Sequence, residues 1–395
     1  MSVVNKIAII TLSILLFLTA SCITINLSMS ATDLTENSWI TKSPIPDGVS
    51  IVKTAEVNGK IYALTGTSTY VYDSEKDNWT KKTPMPTPRD SQNFGIAVCS
   101  NKIYVIGGSI NHGNDALSTN EAYDPATDTW ATKNQMPTAR EWSEANTVNG
   151  KIYVIGGVNY ASNPYRISAT EVYDPATDSW TTKQSPPISI IKGASAVVDK
   201  KIYILGGLGD NETLNAISNQ IYDTENDTWS FGASLPTPMW YTAAGATTGA
   251  MAPKRIYVMG GGFDEVTNIL NVYDPELNNW TTYSSLPTNR TGHSIAVVND
   301  LLYVIGGGSG WHGGPPLTPG SGWTLTSKVE EYTPFGYGTV PPSNPMDSQP
   351  FPTVPVAVAS GASIAMVAVG ALVYFKKRKH GNQQKAEQNK SQVSP

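Results

Sequence analysis

The apolar positions of this chain fall into short β-rich runs that return in the same order, and each return ends on a tryptophan. Trp39, Trp79, Trp130, Trp180, Trp229 and Trp280 are separated by 40, 51, 50, 49 and 51 residues. A period of about fifty residues predicts one supersecondary unit copied about an axis. The third copy is the clearest: Ala145 to Val148, Asn149-Gly150, Lys151 to Gly157, a variable stretch, Glu171 to Ser179, then Trp180 to Lys183. This reads as four short strands. Asn149-Gly150, like Asn58-Gly59, is a two-residue hairpin signal, because a type I′ turn needs positive φ at both central residues. The second hairpin is wider, as in Asp124 to Asp128 and Asp174 to Asp178. There an aspartate caps its own turn and a proline presets φ.

Glycine pairs recur at Gly107-Gly108, Gly156-Gly157, Gly206-Gly207, Gly260-Gly261 and Gly306-Gly307, with Thr65-Gly66 as a degenerate first copy. Glycine permits close backbone approach and φ values closed to other residues. Tyrosines precede each wide turn (Tyr72, Tyr123, Tyr173, Tyr222, Tyr273, Tyr332) and tryptophans follow it. Such large flat groups suit the packing of one sheet on the next. A four-stranded unit of this kind cannot bury itself alone and needs neighbours.

Glycine pair, Tyr-Asp and Trp in this order resemble the Kelch repeat over residues 38 to 333, with Tyr123-Asp124 and Trp130, and Tyr173-Asp174 and Trp180, as the fullest copies. The resemblance implies an all-β fold: a six-bladed β-propeller of four-stranded antiparallel blades, strands a to d running outward from the axis. The sixth glycine pair leads to Glu330-Glu331-Tyr332 with no tryptophan after it. The first tryptophan, Trp39, has no glycine pair before it. The simplest account is that the amino-terminal strand supplies strand d of the last blade and so closes the ring, removing exposed sheet edges.

The ends carry different signals. Residues 1–30 read as a secretory leader, with Lys6 ahead of an apolar run from Ile7 to Ala20. Retention of this stretch as an anchor is the alternative. Residues 334–353, rich in Pro, Gly and Ser, read as a stalk. Val354 to Phe375 is an uncharged apolar stretch long enough for a transmembrane helix. Residues 376–395 begin Lys376-Lys377-Arg378-Lys379, and a basic cluster marks the cytoplasmic side. The expectation is a single-pass membrane protein with its propeller outside the cell. The net charge of −5 over 395 residues gives no sign of nucleic-acid binding. Of two cysteines, Cys22 lies in the leader and Cys99 in an apolar strand, so the mature chain has no internal disulfide. Sequons at Asn78, Asn211, Asn226, Asn279 and Asn289 are compatible with glycosylation of an exported domain. Asn78-Trp-Thr and Asn279-Trp-Thr read equally as the end of a blade turn.

The a–b and c–d turns share one face of such a ring, and the b–c and d–a connections share the other. Length and sequence vary on the second face, which is where binding residues are expected. The four tryptophans outside the repeat slot, Trp142, Trp240, Trp311 and Trp323, all map there; covering the loops' own apolar surface is the competing role. Arg89, Arg140 and Arg290 each stand three residues after the proline that opens strand a, a slot held by Val49, Ile190 and Met239 elsewhere. The Kelch resemblance implies that this slot lies near the mouth of the central channel, where arginines contact acidic partners; pairing with loop carboxylates such as Asp90 or Glu141 is the structural alternative. His293 and His312 complete the candidate ligand contacts. No cofactor is expected and no metal set stands out, because His112, His293 and His312 come from separate positions without ligand spacing. The chemistry therefore points to recognition of a cell-surface protein or a glycan. The rival is a carbohydrate-active propeller enzyme, epimerase- or oxidase-like, using His293 and Arg290 at the channel mouth.

Overall fold

A computed structural model describes residues 34–90, 93–111, 115–209, 215–262, 265–309 and 324–339. The leader, the apolar segment Val354 to Phe375 and the basic tail lie outside these residues. Among those described, no helix is long and apolar enough to cross a membrane. Six four-stranded antiparallel sheets carry the repeat. Blade 3, for example, comprises Glu144–Val148, Lys151–Ile155, Thr170–Asp174 and Ser179–Lys183. Its a–b turn has Asn149 at φ 49° and Gly150 at φ 73°, the positive pair that Asn-Gly is suited to supply.

Blade 6 joins the two ends of the propeller. Its inner strands are Ser294–Val298, Leu301–Ile305 and Val329–Thr333, and its outer strand is Ser38–Lys42. These last two pair antiparallel, from Ser38 opposite Thr333 to Lys42 opposite Val329. The missing tryptophan of the sixth repeat is Trp39, whose ring lies 4.8 Å from that of Tyr332.

The repeated tyrosine, acid and tryptophan form a latch between blades. Tyr123 donates its hydroxyl hydrogen to Asp128 Oδ1 at 2.6 Å. The same oxygen accepts the N–H of Thr83, just beyond strand d of blade 1 (Asn78–Lys82), at 3.0 Å. Trp130 Nε1 donates back to the Thr83 carbonyl at 3.1 Å. Equivalent sets grip Ser43, Asn134, Gln184, Ala233 and Ser284. Asn278 replaces the aspartate in blade 5 and Asn37 in blade 6. The apolar cores lie between blades too: Ala55, Leu64 and Val71 of blade 1 pack with Phe94, Ile103 and Tyr123 of blade 2.

The glycine pairs make a second seam, nearer the axis. Gly306 has φ 69°, and a Cβ there would fall 2.1 Å from the Ser50 carbonyl oxygen of blade 1. Gly307 donates its N–H to that same carbonyl at 2.6 Å. A side chain at Gly306 would therefore push adjacent blades apart.

Blade 5 departs from the tight a–b turn. Its loop between Ala243–Ala246 and Ile256–Met259 is organised by Asp300, whose carboxylate accepts N–H groups from Thr248, Ala250, Met251 and Ala252. Residues 334–339 fold onto this loop. Gly338 donates to the Met251 carbonyl at 2.7 Å and Gly336 to Glu36 at 3.0 Å. The described amino- and carboxy-terminal segments thus meet beside an a–b turn, away from the b–c loops.

Candidate functional site

The arginine slot is a buried structural device. Arg290 Nη2 meets Glu330 Oε2 at 2.7 Å and Arg89 Nη1 meets Glu121 Oε2 at 2.6 Å. Arg140 pairs with Glu171 in the same way. The three guanidinium side chains have no exposed surface. Burial pulls each arginine below its ordinary pKa, and the paired carboxylate opposes that shift. Each arginine pairs with a glutamate of strand c in its own blade, the internal pairing that was the structural alternative for this slot, with Glu121, Glu171 and Glu330 as the carboxylates. Further bonds to carbonyls, such as Arg290 to Gly306 at 3.1 Å and Arg89 to Gly107 at 2.7 Å, tie strand a's entry to the glycine pair. Where the slot is apolar, the strand c position is no longer glutamate. Ile190 accompanies Gln220, which bonds the Ile188 backbone in both directions, and Met239 accompanies Asn271. This covariation between repeats was available in the sequence as Glu121, Glu171 and Glu330 against Tyr70, Gln220 and Asn271.

His293 is likewise enclosed. Burial, with Arg290 nearby, pushes its pKa down to about 3, so the imidazole is neutral across the physiological range. The residue is 4% exposed and borders the pocket at the channel mouth. Trp311, His312 and Trp323 lie outside the described residues.

Two residues beyond the arginine slot, the chain turns over the channel mouth. Trp142, Lys192, Tyr241 and Gly292 occupy this position in blades 3 to 6, all with positive φ between 49° and 60°. Tyr241 donates its N–H to the Lys192 carbonyl at 2.8 Å, and Gly292 donates to Tyr241 at 3.0 Å, linking the turns around the mouth. Side chains from the first three converge. Lys192 Nζ lies 4.7 Å from the centroid of the Tyr241 ring and 5.5 Å from that of Trp142. The two rings meet edge to face at 5.6 Å. Burial lowers the Lys192 pKa, and the nearby Glu141 carboxylate works against that shift. A cation held by aromatic faces in this way is worth about 0.5–2 kcal/mol, more as water is removed.

Trp142 and Trp240 also pack on Val158, Ile191 and Leu208, a small apolar cluster separate from the blade cores. Trp142 thus both covers loop surface and forms one wall of the cation cluster. Nearby in the b–c loop of blade 3, Tyr160 and Tyr165 stack at 5.8 Å with their planes 12° apart, and Arg166 lies 5.4 Å from the Tyr165 ring. These two tyrosines are 44% and 45% exposed, an unusual display for stacked aromatics. A pocket of about 30 Å³ is bounded by Lys53, Glu144, Trp142, Lys192, Tyr241 and His293. That space suits a few waters.

Lys192 and Tyr241 escaped the sequence reading, as did Tyr160, Tyr165 and Arg166. The first two carried a signal, the alignment of Trp142, Lys192 and Tyr241 two residues past one slot. The tyrosines lie in a loop without a repeated neighbour to align.

A six-bladed ring with this seam chemistry defines a propeller built on the Kelch repeat. A family profile described as the KLHDC2/KLHL20/DRC7 Kelch-repeats domain matches residues 53–230 and 181–307, and the Kelch motif matches residues 289–334. The chain belongs to the Kelch-repeat family. It is 28% identical over 295 residues to Kelch-like protein terF of Aspergillus terreus, covering 70% of this chain and 60% of that protein. Kelch-like protein 15 of Danio rerio is 24% identical over 256 residues, 60% of this chain and 33% of the relative. Human Kelch-like protein 23 is 26% identical, over 67% and 44% of the two chains. The matches thus span one third to three fifths of these relatives' lengths. Among solved structures, that of YjhT superposes with a TM-score of 0.60 at 20% identity, covering 73% of this chain and 96% of its own, a likeness of fold.

Proposed function

We propose that this propeller is a recognition module displayed outside the cell, binding a surface protein or a glycan at the mouth where blades 3 to 5 meet. The observation that carries the reading is the Trp142, Lys192 and Tyr241 cluster, a partly desolvated cation between two aromatic side chains on the variable face. Aromatic faces beside a cation suit stacking plus hydrogen bonding to a sugar, and equally suit an interface hot spot. The stacked pair Tyr160 and Tyr165 extends the same aromatic surface outward. Both ends of the propeller meet beside an a–b turn, which favours presentation of the opposite face. The leader and the apolar stretch Val354 to Phe375 motivate the membrane part of the reading.

The carbohydrate-enzyme alternative draws less from the geometry. Its two named candidates are enclosed, His293 neutral and Arg290 engaged by Glu330.

The test is binding of the propeller to arrays of glycans and to surface proteins, followed by mass analysis of any captured ligand. Lys192→Met keeps the side-chain length and removes the charge, so it should weaken capture by about three- to thirtyfold while lowering the melting temperature by no more than about 3 °C. Full binding by Lys192→Met would place the site elsewhere, and chemical conversion of the captured ligand would favour the enzyme.

A further inference from the structure

We propose that Asn78 and Asn279 carry N-linked glycans on the outer circumference of the ring, an inference that rests on the reading of the propeller as exported. Each opens strand d of its blade, Asn78–Lys82 in blade 1 and Asn279–Thr282 in blade 5. Strand alternation turns the intervening tryptophan inward, where Trp79 and Trp280 each lie 4.9 Å from the blade's tyrosine. Asparagine and threonine on either side then face outward together. Asn78, Thr80, Asn279 and Thr281 are all exposed.

Turn chemistry does not explain these asparagines. The left-handed backbone position falls one residue earlier, at Asp77 with φ 48° and Asn278 with φ 51°. In the other blades the residue matching Asn78 is Thr129, Ser179, Thr228 or Ser38. A short hydroxyl side chain therefore satisfies the fold at this place. Among the described residues neither the Asn78 nor the Asn279 side-chain amide has a protein partner.

The other described sequons differ. The Asn226 amide donates to Asp223 Oδ2 at 2.9 Å. Asn289 is followed by Thr291, which is buried with its hydroxyl directed to the Tyr241 carbonyl. Asn211 lies outside the described residues. The donor for Asn78 and Asn279 would be an oligosaccharide linked through phosphate to a lipid. Nδ2 bonds to the anomeric carbon as that carbon's bond to the phosphate oxygen breaks. The lipid phosphate leaves with the electron pair, and one amide proton passes to a base of the transferase. Strand d is the edge of each sheet, so a glycan at its start also obstructs edge-to-edge pairing with another molecule.

The experiment is peptide mass spectrometry on the full-length protein recovered from its own cells, with protease accessibility on intact cells scored in parallel. Peptides containing Asn78 and Asn279 should carry sugar mass increments. Each increment should vanish in Asn78→Thr, Asn279→Thr and Thr80→Ala, with unchanged melting temperatures for the asparagine variants. An accessible protein with both asparagines bare overturns the glycan proposal alone. A protein shielded from protease and bare at both sites overturns the export reading along with it.

Discussion

Replacing Glu330 by glutamine removes one charge from a fully buried pair and leaves Arg290 where it is. Arg290 reaches Glu330 through Nη2 at 2.7 Å and the Gly306 carbonyl through Nη1 at 3.1 Å, while Thr288 Oγ1 donates to the other carboxylate oxygen at 2.9 Å. Glutamine preserves the shape and keeps a bond with Thr288, but the guanidinium is then buried without a counter-charge. Removing one member of such a pair costs about 3–5 kcal/mol. A propeller of about 300 residues unfolds with an entropy of about 2.1 cal/mol/K per residue, so the melting temperature should fall by about 5–8 °C. Differential scanning calorimetry on the soluble propeller measures this directly. The ring itself provides the control. Arg290→Met with Glu330→Asn copies the Met239 and Asn271 combination of blade 5, and should recover most of the loss because no unpaired charge remains. A fall below about 1 kcal/mol for Glu330→Gln, the scale of an exposed pair, would refute the buried-pair account. So would unchanged stability combined with loss of ligand, which would return Arg290 to the binding surface.

Deleting residues through Lys42 should strip the outer strand from blade 6, along with the Trp39 contact and the ion pair of Lys42 with Glu331 at 3.0 Å; calorimetry and light scattering should register a lower melting temperature and aggregation. Unaltered melting would mean that the ring does not depend on its closing strand. Asp128 and Asp178 are held below the usual carboxylate range, first by the hydroxyl hydrogen bonds of Tyr123 and Tyr173. A depressed folded-state pKa adds stability above the unfolded value, near 3.9, and that stability is lost as pH falls through the folded value. Melting temperature should therefore drop below about pH 4, and Asp128→Asn with Asp178→Asn, imitating Asn278, should flatten the slope; an identical acid limb would count against the latch. Trp180→Ala should lower stability because its indole both packs against Tyr173 at 5.0 Å, tilted by 40°, and bonds Asn134 across the seam, whereas Trp142→Ala should reduce binding more than stability. Equal unfolding by the two would make Trp142 a core residue.

The ring was legible because its seams repeat. Tyr123, Asp128 and Trp130 act on the N–H and carbonyl of one residue, Thr83, just past the last strand of the preceding blade, so their spacing must recur wherever a blade meets a blade. The closing strand could be read for the same reason: one repeat lacked a tryptophan and one tryptophan lacked a repeat. The turn of blade 5 could not, since Asp300 gathers four N–H groups from a loop about fifty residues earlier in sequence, and neither side announces the other.

The site obeys the opposite logic. A seam residue is recognisable by being the same in each copy, while a ligand contact is useful for being different. Arg89, Arg140 and Arg290 agree in three copies, and that agreement marks them as parts of the frame. Their glutamates repeat in the same three blades, which is the signature of an internal pair. Trp142, Lys192 and Tyr241 agree in backbone and disagree in side chain: one left-handed turn, used in successive blades, aims three unlike groups at a common point over the channel. In a closed ring of repeats, candidate contacts are therefore best sought at positions whose conformation recurs while their chemistry does not, and here that criterion separates Lys192 from the buried arginines beneath it.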